Sequence, residues 1–127
     1  MPLNFFQRRK ILKNINYLEL TPYKLYSDET DENGLITILV PKFTNPIAKR
    51  LLEPTLSSKF FRIKLDELGS EAWKNTDGKK RVFEIANILS RKFGAKIQPI
   101  DQRLTKFFTG LYLQNIISFN EIKKKGE

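Results

Sequence analysis

A period of two runs through residues 59–65, KFFRIKL. Phe61, Ile63 and Leu65 fall on one side and Phe60, Arg62 and Lys64 on the other, the pattern of a half-buried strand. At Asp66 the period changes. Leu68, Ala72 and Trp73 follow Leu65 at helical spacing, which predicts a helix burying one narrow face, with the Asp66 carboxylate as its N-cap. Asp77-Gly78 then predicts a turn with positive φ that stops this helix. From Val82 the apolar residues recur at Ile85, Ala86, Leu89 and Phe93, and Gly94 stands where a helix C-terminus takes a left-handed residue. The centre of the chain therefore reads as a strand leading into a helix-turn-helix.

The flanks carry weaker patterns. Residues 1–16 mix Phe5, Phe6, Ile11, Leu12 and Ile15 with Arg8, Arg9, Lys10 and Lys13, a basic arm that is expected to pack back on its own domain or on a second copy. Residues 17–27 read as extended, with Pro22 marking the entry to an edge strand at residues 23–26. The acidic run DETDENG is expected to be a turn reversed at Asn33-Gly34, after which residues 35–40 pair antiparallel with the preceding strand. Asn45, Pro46, Ile47, Leu51 and Leu52 predict a short inserted helix that Pro54 terminates. Pro99 opens a third long helix with its stripe at Ile100, Leu104, Phe107, Phe108 and Leu111, and Asn115 is its left-handed terminator. Residues 116–119 form a last short strand, and 121–127 a charged tail.

Together these elements predict an α+β domain over residues 17–120, preceded by the arm. A small three-stranded antiparallel sheet is followed by a three-helix, winged helix-turn-helix arrangement, with the short inserted helix before the third strand. At 127 residues the chain can bury a core without crosslinks. It has no cysteine and no histidine, which removes disulfides, the usual nitrogen and sulfur ligands of structural zinc, and the commonest neutral-pH general base. No apolar run is long enough to span a membrane, so a cytoplasmic protein with no membrane partner is expected. The net charge of +9 favours polyanions or acidic peptides as partners without naming one. The carboxylates of DETDENG lack the ligand spacing of an EF-hand.

The run LDELGSEAWKNTDGKKRVFEIANIL resembles the signature of the PqqD family: a capped helix with Trp near its end, Asp-Gly, then a Val-x-Glu-Ile helix. The likeness extends more loosely from about Leu18 to Phe119. It implies a RiPP recognition element, a winged-helix domain that binds the leader of a ribosomally made precursor peptide. Such a domain acts as a peptide chaperone, presenting the leader to a modifying enzyme, here a radical SAM maturase. One position departs from the pattern: Arg81 stands where the family usually has Thr or Ser, so Glu84 can fill only half of a capping box.

An edge strand beside a helix is a device for taking up an extended peptide. On the family's pattern the leader adds to the strand at residues 59–64 and lies against the helix at residues 100–113. The expected peptide-binding residues are Phe61 and Ile63 as apolar walls and Arg62 and Lys64 as charge partners for an acidic leader. Arg103, Lys106 and Phe107 are expected on the helix side. Plain core packing is the alternative for the apolar three, and a solvated surface for the charged four.

A winged-helix DNA-binding protein is the second reading, using Gln102, Arg103 and Lys106 on the third helix, with Lys79, Lys80 and Arg81 on phosphates. No catalytic residue, metal or cofactor is expected, since the chain has no Gly-rich phosphate loop and no nucleophile-base pair. Homodimerisation by strand exchange is compatible with an open edge.

Overall fold

The computed structural model describes residues 5–12, 15–41 and 60–122. The inserted helix predicted from Asn45 to Pro54 lies outside them. Helix α1 is Phe5–Leu12. Among the described residues the strands are, in chain order, β1 Pro22–Lys24, β2 Asp28–Thr30, β3 Ile36–Pro41, β4 Phe60–Lys64 and β5 Ile117–Phe119. Between β4 and β5 come helices α2 Glu67–Lys74, α3 Val82–Phe93 and α4 Ile100–Leu113. The fold is α+β, with a small antiparallel sheet in the order β2-β3-β4 and a separate antiparallel pair of β1 with β5.

The strand pairing differs from the sequence expectation in one respect. Residues 23–26 were expected to partner β3, yet Pro22–Lys24 pairs with β5, and the partner of β3 is Asp28–Thr30, inside the acidic run. The reversal is correspondingly tighter. Asp31 accepts from the N–H groups of Asn33 and Leu35 at 2.8 and 2.9 Å, and Gly34 follows with φ of +82°. The physical reason is Trp73. It is fully buried, and its Nε1–H donates to Oδ2 of Asp28 at 2.8 Å, so a carboxylate belongs on the inner face of β2.

Local signals fix the helix ends. Asp66 caps α2 by accepting from Gly69 N–H at 2.7 Å. Asp77 accepts from the N–H groups of Lys79 and Lys80, each at 2.9 Å, and Gly78 has φ of +76°. At the start of α3 the Glu84 carboxylate accepts from Arg81 N–H at 3.0 Å, whereas the Arg81 side chain makes no cap bond. Gly94 and Asn115 both have positive φ, at 66° and 62°. Glu71 ties α2 to α3 through Lys92 at 3.0 Å and also meets Lys74 at 3.3 Å.

The core lies between the inner face of the sheet and the three long helices. It gathers Ile36 and Ile38 from β3, Ala72 and Trp73 from α2, and Val82, Ile85 and Leu89 from α3. Leu104, Phe108 and Tyr112 from α4 complete it with Ile117 and Phe119 from β5. Helix α1 is fastened to the far end of α4. The buried Arg8 guanidinium stacks on the Tyr112 ring at 4.4 Å and donates to Tyr112 O at 3.0 Å and to Oδ1 of Asn115.

Candidate functional site

Strand β4 pairs with β3 along one edge, in the register Ile38↔Ile63 and Leu39↔Arg62, and among the described residues no strand pairs with its other edge. Leu65 N–H donates to Ile36 O at 2.9 Å, which makes residues 36 and 65 a hydrogen-bonded pair. Hydrogen-bonded and non-hydrogen-bonded pairs alternate along an antiparallel ladder, so the main-chain groups of Ile63 turn towards β3 and those of Arg62 and Lys64 towards the open edge. The Ser70 hydroxyl finishes the ladder from α2, accepting from Ile36 N–H at 2.8 Å and donating to Leu65 O at 3.4 Å.

Side chains divide as the alternation predicts. Phe61 and Ile63 share the inner face with Ile38 and Val40; Ile63 is half-buried against the core, while Phe61 keeps 59% of its surface exposed. Arg62 and Lys64 are on the outer face and exposed. Arg62 reaches across β3 to Glu29 at 2.7 Å, so its charge already has a partner.

A recess of about 220 Å³ opens past the C-terminal end of β4, between the first turns of α2 and the middle of α4. Arg103, Lys106 and Phe107 line it from α4 together with Leu104. Phe107 is half-buried and meets Phe108 edge-on, with ring centroids 5.2 Å apart. From α2 come Leu68, Gly69 and Ala72, with Asp66 at the rim. The structure thus brings three of the expected residues together in one cavity and leaves the four from β4 along the neighbouring edge. It adds a wall from α2 that sequence reasoning did not assign. Leu68 and Ala72 carry the spacing of core positions, and Gly69 carries no side chain. Yet Gly69 is what lets Phe107 approach, because a Cβ there would stand 3.3 Å from the Phe107 ring and 3.0 Å from Oδ1 of Asp66.

The electrostatics around this corner are positive. Arg103, Lys106 and Lys64 are exposed, and among the described residues no carboxylate pairs with any of them. The Asp66 carboxylate is held by its cap bond. No group of three or more His, Cys, Asp or Glu among the described residues is placed to hold a metal ion, and none of their helices is long and apolar enough to cross a membrane.

Residues 58–117 match the model of a family described as coenzyme PQQ synthesis protein D (PqqD). Over these residues the chain is similar to the PqqD family. No curated protein and no solved structure matches it. The PqqD segment runs from just before β4 to the first residue of β5, so the open edge and the α2/α4 recess both fall inside it. The β2–β3 hairpin, which pairs the inner edge of β4, lies outside.

Proposed function

We propose that the protein is a non-catalytic recognition module that takes up an extended precursor peptide on the open edge of β4 and presents it to a modifying enzyme, a radical SAM maturase. One observation carries this reading: the main-chain donors and acceptors of Arg62 and Lys64 face outwards near a recess of mixed apolar and charged lining, the combination of unpaired ladder groups and side-chain pocket by which a strand is added to a sheet. The match of residues 58–117 to the PqqD family, associated with peptide binding in PQQ and related biosynthesis, supports it. On this reading α2 and α3 are the helix-turn-helix of a winged-helix domain, and the protein works in the cytoplasm, where ribosomal precursors are made. The DNA-binding alternative would rest on Gln102, Arg103 and Lys106 of α4, which are exposed, and it gains little from α3. The N-terminal half of that helix exposes Phe83 and Glu84 beside Asn87, and an aromatic ring and a carboxylate are groups that phosphates would not favour.

Proline at position 62 tests the edge. It removes the N–H that points outwards while the β3–β4 bonds of Ile63 and Leu65 remain, a placement that edge strands tolerate. Binders selected from a displayed library of extended peptides should lose affinity for Arg62→Pro and keep it for Arg62→Ala. Indifference to the proline would remove β4 as the site.

A further inference from the structure

The outer face of α4, turned away from β4 and α2, carries a second depression that peptide uptake leaves unused. We infer that this face, together with the outer side of α1, is a two-fold contact with a second copy of the chain, in which Asp101 of each copy meets Arg9 and Lys10 of the other.

Thr105 and Thr109 each stand two residues from Phe107, so at 3.6 residues per turn they point about 160° away from the recess that Phe107 lines. Along them runs an open groove of about 620 Å³, with Asp101 at one end, Leu113 at the other and Tyr17 on its flank. Its surface is mostly apolar, and Lys106, on the crest between the two depressions, borders both. From Asp101 to Leu113 the helix rises about 18 Å. Gly110 has no side chain, and a Cβ there would meet nothing within 4 Å, so another backbone can come close. Thr109 holds a buried hydroxyl with no hydrogen-bond partner. A helix face meant for water would turn that hydroxyl outwards, so this one is suited to apolar contact.

The arm supplies the occupant. Arg8, clamped on Tyr112 and Asn115, fixes α1 at the C-terminal end of α4. With Arg8 turned inwards, Phe6, Arg9 and Lys10 stand at positions i, i+3 and i+4 of one exposed side, and Phe6 is 79% exposed. An aromatic ring flanked by two cations is thus held out at one end of the groove, and a carboxylate stands at the other. Arg9, Lys10 and Asp101 are exposed and take part in no ion pair among the described residues. A two-fold axis across the middle of the groove sets two α4 helices antiparallel and brings the C-terminal end of each level with the N-terminal end of the other. Arg9 and Lys10 then fall beside Asp101 of the other copy, at both ends of the contact, and each Phe6 lies towards the opposite groove. The chain carries both halves of this pattern, so no foreign partner is required to complete it. Two copies of net charge +9 repel each other, and this face answers its cations with a carboxylate. The open edge of β4 lies on the other side of α4 and stays accessible in each copy.

Sedimentation equilibrium of the full chain over a wide range of concentration tests the contact, and the wild type should pass from 14.9 kDa towards twice that mass. Gly110→Trp fills the groove, and Asp101→Lys makes both end contacts repulsive. Each should weaken association by roughly ten-fold or more, with circular dichroism showing the fold retained. Arg9→Glu/Lys10→Glu should weaken it likewise. An equimolar mixture of that double variant with Asp101→Lys should associate where neither does alone, because both end contacts are then attractive. A wild-type chain that stays at 14.9 kDa throughout overturns the contact. Association that ignores all three variants overturns it too, and its loss in Arg62→Pro would move the interface to the edge of β4. If the mixture fails to associate although both variants are folded, the pairing of Asp101 with Arg9 and Lys10 is wrong.

Discussion

Trp73 Nε1 and Asp28 Oδ2 are 2.8 Å apart, and this hydrogen bond joins α2 to the first strand of the β-hairpin that supports β4. The indole belongs to the PqqD segment, whereas the carboxylate comes from outside it. Trp73 is fully buried, so its N–H has no recourse to water once the acceptor is removed. Asp28→Ala should therefore destabilise the protein by about 1–3 kcal/mol, the cost of a buried donor left unsatisfied, and Asp28→Asn, which keeps an acceptor oxygen, by less. Urea unfolding followed by tryptophan fluorescence measures both. Equal stability of Asp28→Ala and wild type would show that the bond contributes nothing to holding the hairpin.

The same substitution at two glycines should have opposite signs. Gly78 has φ of +76°, its N–H donates to Pro22 O at 3.0 Å, and its own carbonyl accepts from Asn120 Nδ2 at 2.8 Å. Space is not the constraint, since a Cβ would meet Tyr23 at an ordinary 3.4 Å. The left-handed backbone is, and Gly78→Ala should cost about 1–2 kcal/mol. Gly110 lies within α4 with nothing within 4 Å of an added Cβ. Gly110→Ala should stabilise by about 0.4–1 kcal/mol through the unfolded chain. Thermal unfolding of the two variants, compared with wild type, reads both signs.

How much of this was legible in the sequence depends on how local each signal is. Asp66, Asp77-Gly78, Gly94 and Asn115 each act on the few residues around them, and each stands where its chemistry predicts. The alternation through β4 is local too, and it sorted Phe61 and Ile63 from Arg62 and Lys64 correctly. Pairing partners are not local. Nothing in residues 22–24 announces that their ladder is completed by residues 117–119, and a run as polar as DETDENG gives no sign that Asp28 faces inwards until Trp73 is set against it. The recess was half legible for the same reason. Arg103, Lys106 and Phe107 share one helix face, but the wall opposite them comes from α2, where Leu68 and Ala72 cannot be told from core positions by spacing. An ion pair between Arg62 and Glu29, across an intervening strand, is likewise set by sheet register alone.

Arg8 is the second long-range fastening, and its loss should be felt at the C-terminus of α4. The guanidinium spreads over the Tyr112 ring and donates to the main-chain carbonyl of Tyr112 and to Asn115. A cation at a helix C-terminus also opposes the partial negative charge there. Arg8→Ala should cost about 1–3 kcal/mol. Arg8→Lys should recover little of it, since a point-charge ammonium can neither fork to two acceptors nor stack as a plane. Hydrogen exchange resolves the effect by position: amides of residues 112–119 should lose protection in both variants while those of the β2–β3 hairpin keep theirs.

Acid should weaken the fold through carboxylates that are committed to hydrogen bonds. For Glu121, burial pushes the carboxyl up, but the Thr21 N–H and hydroxyl, both at 2.7 Å, outweigh it and hold it below its ordinary value of 4.5. Burial likewise raises Glu71, and Lys92 and Lys74 overcome it. Asp77 is held well below the usual carboxylate range by the Lys80 ammonium at 2.8 Å and by the Lys80 and Lys79 amides. A carboxyl that is more acidic folded than unfolded binds fewer protons in the native state. Its contribution is therefore complete above the unfolded value of 4.5 and disappears as the pH drops through the folded value. Urea midpoints taken from neutral pH down to about pH 3 should decline for the wild type over that acid limb. Glu121→Gln should be less stable than wild type at neutral pH, and the gap should close as the pH falls. A gap that stays constant with pH would mean that the carboxylate charge at position 121 is not what fastens β5 to Thr21.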